Sequence, residues 1–264
     1  MTKNINDKKA KVYGVIQNKG GVLKSTICTN MASELSLQGK KVLIIDVDNQ
    51  SNVLYSFGLN PDAYENTMYD VLSKQIDIEE VVVEVSPNLH VALSNDDMSY
   101  FEMDVLTNPE DYPNFAYLLK GAIDKVRDKY DVIFVDTPPS FGLNLMNVLH
   151  AIDEAIVPFH PEIFSVRSMI KTIQAIDNFK EKNPNLKICG VVPTKVQKST
   201  TLHKETLREC RKYCKEHGVT VTKTVIPKTI AFSDSLYKNK KPWVLTEASR
   251  PRAIFQNIMK ELNI

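Results

Sequence analysis

The segment Asn18-Lys19-Gly20-Gly21-Val22-Leu23-Lys24-Ser25-Thr26 sets two glycines, two lysines and two hydroxyls between an apolar run and a helical pattern. That order suits phosphate chemistry. Backbone N–H groups of a glycine-rich loop and a helix N-terminus converge on an anion, a lysine neutralises the β- and γ-phosphates, and a serine hydroxyl reaches Mg²⁺. Lys24 and Ser25 are the candidates for the last two roles, and Gly20 and Gly21 let the backbone close around the anion. Three carboxylates stand at or just beyond the ends of apolar runs: Asp46 and Asp48 after VLII, and Asp136 after VIFV. Ligands in open α/β sheets sit beyond the C-terminal ends of the strands, so all three are expected at the crevice that the loop borders.

The elements that must hold these groups follow from the apolar pattern. KVYGVIQ (11–17), a helix over 25–38 and KVLIIDV (41–47) read as a right-handed βαβ unit. The alternation continues through LHVAL (89–93), a helix near 114–128, DVIFVD (131–136), EAIVPF (154–159), a helix over 164–182 and KICGVV (187–192). VLIID and VIFVD are apolar at nearly every position, as parallel strands covered on both faces should be. The expected fold is α/β, a doubly wound and mostly parallel sheet with helices on both faces. No repeat or linker divides it, so a polar tail over 1–10 and a single domain over 11–264 are expected. Residues 94–113 are acidic and irregular and read as a surface excursion. A last helix over 250–262 carries Ile254, Phe255, Ile258, Met259 and Leu262 on one face, suited to docking on the domain.

Composition narrows the classes. The chain has 264 residues with 43% apolar content, enough for a sizeable core and too apolar for a disordered chain. No apolar stretch approaches the roughly 18 residues of a membrane span, and the N-terminus is too charged for a signal-peptide core. A cytoplasmic protein is expected, with no membrane partner. Cys28, Cys189, Cys210 and Cys214 include no C-x-x-C pair and are expected to be reduced packing residues. The net charge of +1 conceals an asymmetry: residues 1–190 hold 18 Lys+Arg against 26 Asp+Glu, and residues 191–264 hold 15 against 6. The second part is basic enough to meet a polyanion without reading its sequence.

Both glycine positions of the ordinary G-x-x-x-x-G-K-[ST] loop are altered, to Asn18 and Leu23, and the segment fits the form K-G-G-x-x-K-[ST] instead. With LIIDVDNQSN (43–52), VIFVDTPPSFG (132–142), VPFHPEIFSV (157–166) and TVIPKTIAFSDS (224–235) in order, the chain resembles the ParA/MinD superfamily of deviant Walker ATPases, in particular the short Soj-like partition proteins. The resemblance implies a P-loop NTPase-like fold that binds ATP and Mg²⁺ through residues 19–26. It implies an ATP-dependent homodimer in which Lys19 crosses to the partner's nucleotide. Asp48 would position the attacking water, Asp136 would hold the magnesium shell, Asp46 would support both, and the adenine would lie near Pro227. Nonspecific DNA would be bound by C-terminal basic residues comparable to Lys228, Lys240, Lys241, Arg250 and Arg252. A ParB-like centromere-binding adaptor would trigger hydrolysis and release from the nucleoid.

Two departures matter. Leucine stands at position 23 where these proteins usually carry glycine; if the backbone there is left-handed it costs about 1–2 kcal/mol. Asn49 stands where they usually carry proline, which leaves the first nucleotide-sensing segment, Gln50-Ser51-Asn52, looser than the second, Thr137-Pro138-Pro139-Ser140. Other readings are a nucleotide-blind DNA-binding scaffold and a MinD-like membrane cycler, the latter lacking a basic amphipathic tail. A redox enzyme related to the nitrogenase iron protein is excluded, because the cysteine pair it needs on the central strands for an iron–sulfur cluster is absent from 29–188. No N-terminal helix-turn-helix is expected, since the phosphate loop begins within 20 residues of Met1.

Overall fold

The computed structural model describes residues 9–247 and 249–264, without the side chain of Ser249. In chain order it runs β1 (Lys11–Val15), α1 (Lys24–Leu37), β2 (Val42–Asp46), α2 (Asn52–Tyr55), α3 (Met68–Ser73), β3 (Val82–Ser86), β4 (Leu89–Ala92), α4 (Phe101–Thr107), α5 (Leu118–Asp124) and β5 (Val132–Asp136). Then come α6 (Leu143–Ala151), β6 (Glu154–Phe159), α7 (Ser165–Phe179), β7 (Lys187–Pro193), α8 (Thr201–Glu216), α9 (Ala231–Asp234) and α10 (Ser249–Leu262). The strands form one sheet in the order β3-β4-β2-β5-β1-β6-β7. Among the described residues only the β3–β4 pair is antiparallel. This is the expected doubly wound sheet, and the central strands are buried along their length because two core clusters cover opposite faces.

Register delivers the functional residues. Asp46 on β2 pairs with Asp136 on β5, which pairs with Val15 on β1. The phosphate loop leaves β1 two residues later, so loop and carboxylates emerge at the same edge. Tyr13 and Phe134 stack beneath them at 5.6 Å between centroids.

Three differences from the sequence reading have local causes. The helix near 114–128 is shorter: α5 covers Leu118–Asp124 behind a 3-10 turn at Phe115–Tyr117. The acidic excursion is anchored rather than loose, because α4 buries Phe101 and Val105, spaced i,i+4, in the core. Ala10, placed in the polar tail, is 1% exposed and donates its N–H to the Arg127 carbonyl; residues 1–8 of that tail lie outside the described residues. All four cysteines are free thiols, and Cys210 and Cys214 pack on Met169. Among the described residues no helix is long and apolar enough to cross a membrane.

Helix α10 docks as expected, burying Phe255, Ile258, Met259 and Leu262. Its Arg252 grips Glu34 of α1 through two hydrogen bonds, 2.9 and 3.1 Å, and Gln256 adds a third at 2.7 Å. Glu34 is fully covered. Burial alone would raise its carboxyl pKa, but bonds from Arg252, Gln256 and Gln38 outweigh that and hold it below the ordinary range. A depressed pKa contributes stability above the unfolded-state value that is lost as pH falls through the folded one. Arg252→Ala is therefore expected to destabilise the fold by about 1–3 kcal/mol, by leaving a buried carboxylate under-satisfied. Urea unfolding at pH 7 and pH 4 checks this: the gap between wild type and variant narrows at the lower pH.

Candidate active site

The phosphate loop ends in strain at a defined position. Leu23 has φ 72 and ψ 34, a left-handed conformation, and immediately precedes α1. Gly21 is also left-handed at φ 70. The conformation that glycine takes at little cost is thus retained in this chain by a leucine. Its side chain is half-buried against the core cluster under α1, which offsets part of the backbone cost. Leu23→Gly is expected to change stability by less than about 1 kcal/mol, the relieved strain set against lost apolar contact. Nucleotide affinity by titration calorimetry is expected to hold within about threefold; a loss beyond tenfold would make the leucine itself part of the binding surface.

Lys24 follows at the first position of α1 and is 7% exposed. Burial lowers its pKa, while Asp136 and Asp48 pull it back up. A buried ammonium whose neighbours are carboxylates on adjacent strand ends is positioned for anionic oxygens. Asp136 is fully buried, and its Oδ2 has no hydrogen-bond partner among the described residues. Burial raises its pKa, and the Ser25 hydroxyl and Lys24 work against that rise. An unpaired carboxylate oxygen beside a hydroxyl is a donor set for a hard cation such as magnesium. Among the described residues no three His, Cys, Asp or Glu side chains are grouped to hold a metal alone. A magnesium ion here would therefore complete its shell with phosphate oxygens and water.

Asp46, expected to support both the attacking water and the metal shell, also holds the loop after β2: its Oδ1 accepts from the Asp48 N–H at 2.9 Å and its Oδ2 from the Val53 N–H at 3.3 Å. Asp48 accepts from the Gln50 N–H at 3.1 Å and borders the cavity. Burial raises its pKa, opposed by Gln50 and Lys24.

That cavity, about 710 Å³, is lined at one end by Gly20 to Thr26 and at the other by Tyr55, Ser56, Ser233, Leu236 and Tyr237. Pro227 is not part of the lining; it bridges to Val196 instead. This second end of the cavity was not legible in the sequence, because it comes from around α2 and from α9 with the five-residue π-helical turn after it. Lys195, grouped by sequence with the basic cluster, also lines the cavity.

Lys19 lies on the open side of the loop, where its Nζ donates to Glu162 at 2.6 Å and to Ser165 at 3.3 Å. Of the C-terminal basic residues, Lys228, Lys240, Lys241 and Arg250 are exposed. Lys240, at φ 49, lays its stem over Gly58. Arg252 is engaged by Glu34. Lys198, Lys204, Arg211 and Lys223 border one groove beside α8, although Arg211 is committed to the Val221 and Thr222 carbonyls.

A family model described as AAA domain matches residues 10–188. A ParA family protein of Mycoplasma genitalium is 29% identical, with 95% of this chain and 96% of the relative covered. The sporulation initiation inhibitor protein Soj of Bacillus subtilis is 28% identical over 96% of this chain and 98% of its own. The crystal structure described as cobyrinic acid a,c-diamide synthase from Mycobacterium smegmatis, with bound ATP analog and magnesium, superposes with a TM-score of 0.75 at 27% identity, covering 88% of this chain and 96% of that one. On these matches the chain belongs to the AAA-domain family, as a ParA/Soj-like member of it.

Proposed function

We propose that this chain is a DNA-partition ATPase. It binds Mg-ATP in the crevice above β1, β2 and β5, dimerises around the nucleotide, holds nonspecific DNA and lets go when a ParB-like adaptor stimulates hydrolysis. The observation that carries the reading is the buried Lys24 at the start of α1, held in the field of Asp136 and Asp48, with Asp136 Oδ2 unpaired among the described residues. Loop N–H groups and Lys24 hold the phosphates, and Ser25 with Asp136 holds the metal shell. The metal supplies charge neutralisation at the scissile phosphate. Asp48, kept in place by the Gln50 N–H, orients water against the phosphate. Tyr55, Leu236 and Tyr237 enclose the nucleoside.

DNA phosphates would meet the exposed Lys198, Lys204, Lys223 and Lys228, with Lys240, Lys241 and Arg250 as further contacts. Arg252 is left out because Glu34 holds it. Such a contact is phosphate-directed and steeply salt-dependent. Cytoplasmic, nucleoid-bound protein is the matching location.

The test is DNA binding titrated with salt in the absence of nucleotide, with Mg-ADP and with Mg-ATP, alongside ATP hydrolysis with and without DNA. Binding that requires ATP and weakens steeply with salt is expected. Equal binding in all three states with no hydrolysis would instead describe a nucleotide-blind scaffold.

A further inference from the structure

The acidic segment 94–113 holds six carboxylates and no Lys, Arg or His. Its helix α4 buries Phe101 and Val105 on one side and leaves Met103 and Leu106 at 65% and 70% exposure, with the N-cap Tyr100 at 59%. The i, i+3, i+6 spacing puts these three in one ridge. Asp96, Asp97, Glu110 and Asp111 stand exposed around it. Three large apolar side chains on one short helix and its N-cap, inside a single-sign charge field, form an interaction surface rather than scattered exposure.

The helix that carries the ridge is bonded to α6 and shares a cavity with residues beside both nucleotide-sensing segments. Glu102, on the same helix, accepts from the Asn144 N–H at 3.2 Å and so caps the start of α6. The side-chain-free Gly142 lets the carboxylate lie there: a methyl at that position would collide with Glu102 Oε1. A small cavity of about 160 Å³ lies between α4 and the switches, lined by Ser99 and Glu102 on one side and Asn49, Pro138, Ser140 and Asn144 on the other. The Oδ1 of Asn144, itself 8% exposed, is buried there with no hydrogen-bond partner among the described residues. A carboxylate and an unpaired amide oxygen at one cavity ask for a donor, and a cationic one best satisfies both.

We infer that the α4 ridge is the docking surface for a basic amphipathic segment of a partner protein, and that Glu102 transmits the docking to the segment following β5. Its apolar side chains cover Tyr100, Met103 and Leu106, its lysines or arginines meet the acidic surround, and one of them reaches Glu102 and Asn144. Charge complementarity fixes the occupant. DNA and anionic membrane are repelled by the carboxylates, and a second copy would present the same charge to itself. The inference about coupling rests on the nucleotide-switch reading above, whereas the docking itself does not.

The experiment uses the full chain and a fluorescein-labelled 16-residue peptide of leucine and lysine, with leucines at helical spacing, and a control with glutamate for lysine. Fluorescence anisotropy is expected to show binding of the lysine peptide only, weakened at least about tenfold by the double variant Met103→Lys, Leu106→Lys. Glu102→Gln is expected to keep peptide affinity within about threefold while abolishing the effect of peptide on affinity for a fluorescent ADP. Equal peptide affinity in wild type and double variant, or equal binding of the glutamate peptide, overturns the proposal. So does a peptide-free dimer that the double variant abolishes in sedimentation, since the ridge would then face a second copy. Peptide binding by a chain that binds no fluorescent ADP would retain the docking surface and reject the ATPase reading; ADP binding without peptide binding does the reverse.

Discussion

Asp48→Ala is expected to lower ATP turnover by about 10²–10⁴-fold, the range for a positioned acid–base group, while Mg-ATP affinity stays within about threefold. The reasoning is geometric. The phosphates are held by residues 20–26 on the β1–α1 loop, whereas Asp48 sits across the cavity, beyond the end of β2. Removing it takes away the group that orients water and leaves the phosphate-binding surface intact. One complication has its own control. Asp48 Oδ1 also accepts the Gln50 N–H, so alanine frees a loop N–H as well as losing a carboxylate. Asp48→Asn keeps an oxygen for that bond and loses only the charge, and should be nearly as slow as alanine. Single-turnover hydrolysis of radiolabelled ATP measures the rate, and a fluorescent nucleotide titration measures affinity. If asparagine restores turnover, or if alanine abolishes binding, Asp48 holds the loop and orients no water.

The legible part of this molecule is the part built from local sequence. VLIID and VIFVD announced buried parallel strands because each position is covered on one face or the other, and strand ends then located Asp46 and Asp136 without further information. The left-handed backbone at Leu23 followed from the altered glycine position in the same way. What stayed hidden comes from long-range encounters. β3, VVEVS, is a half-exposed antiparallel edge strand, so its pattern carries neither the apolar run of a central strand nor a clean alternation. Arg252 looked like a DNA contact because its partner, Glu34, lies 218 residues away and gives no charge signal nearby. The cavity wall of Tyr55, Ser233, Leu236 and Tyr237 is assembled from two segments that share no motif. Asp46 was legible as a strand-end carboxylate, yet its role depended on which N–H groups the following turn delivered to it.

The same limit hid a restraint on the front lysine, and the second large effect follows from it. Lys19 must leave its own protomer if it is to touch a partner's nucleotide, but in the single chain its ammonium is bound to Glu162 at 2.6 Å and to the Ser165 hydroxyl. The pair is partly exposed, 33% for the lysine side chain and 47% for the glutamate, so it contributes only about 0.2–1 kcal/mol. A symmetric dimer breaks two such pairs. Glu162→Gln is accordingly expected to tighten ATP-dependent dimerisation by about 2- to 30-fold, the low end applying at high salt where screening has already weakened the pair. Lys19→Ala is expected to abolish that dimer, because the phosphates of two nucleotides then lose their cross-interface cation. The double variant should behave as Lys19→Ala alone, since Glu162 acts only through the lysine it holds. Sedimentation equilibrium of the four proteins with a non-hydrolysable ATP analogue and magnesium reads all of this out. A dimer fraction unchanged by Lys19→Ala would reject the crossing role, and a dimer weakened by Glu162→Gln would mean that Glu162 belongs to the interface rather than restraining the lysine from it.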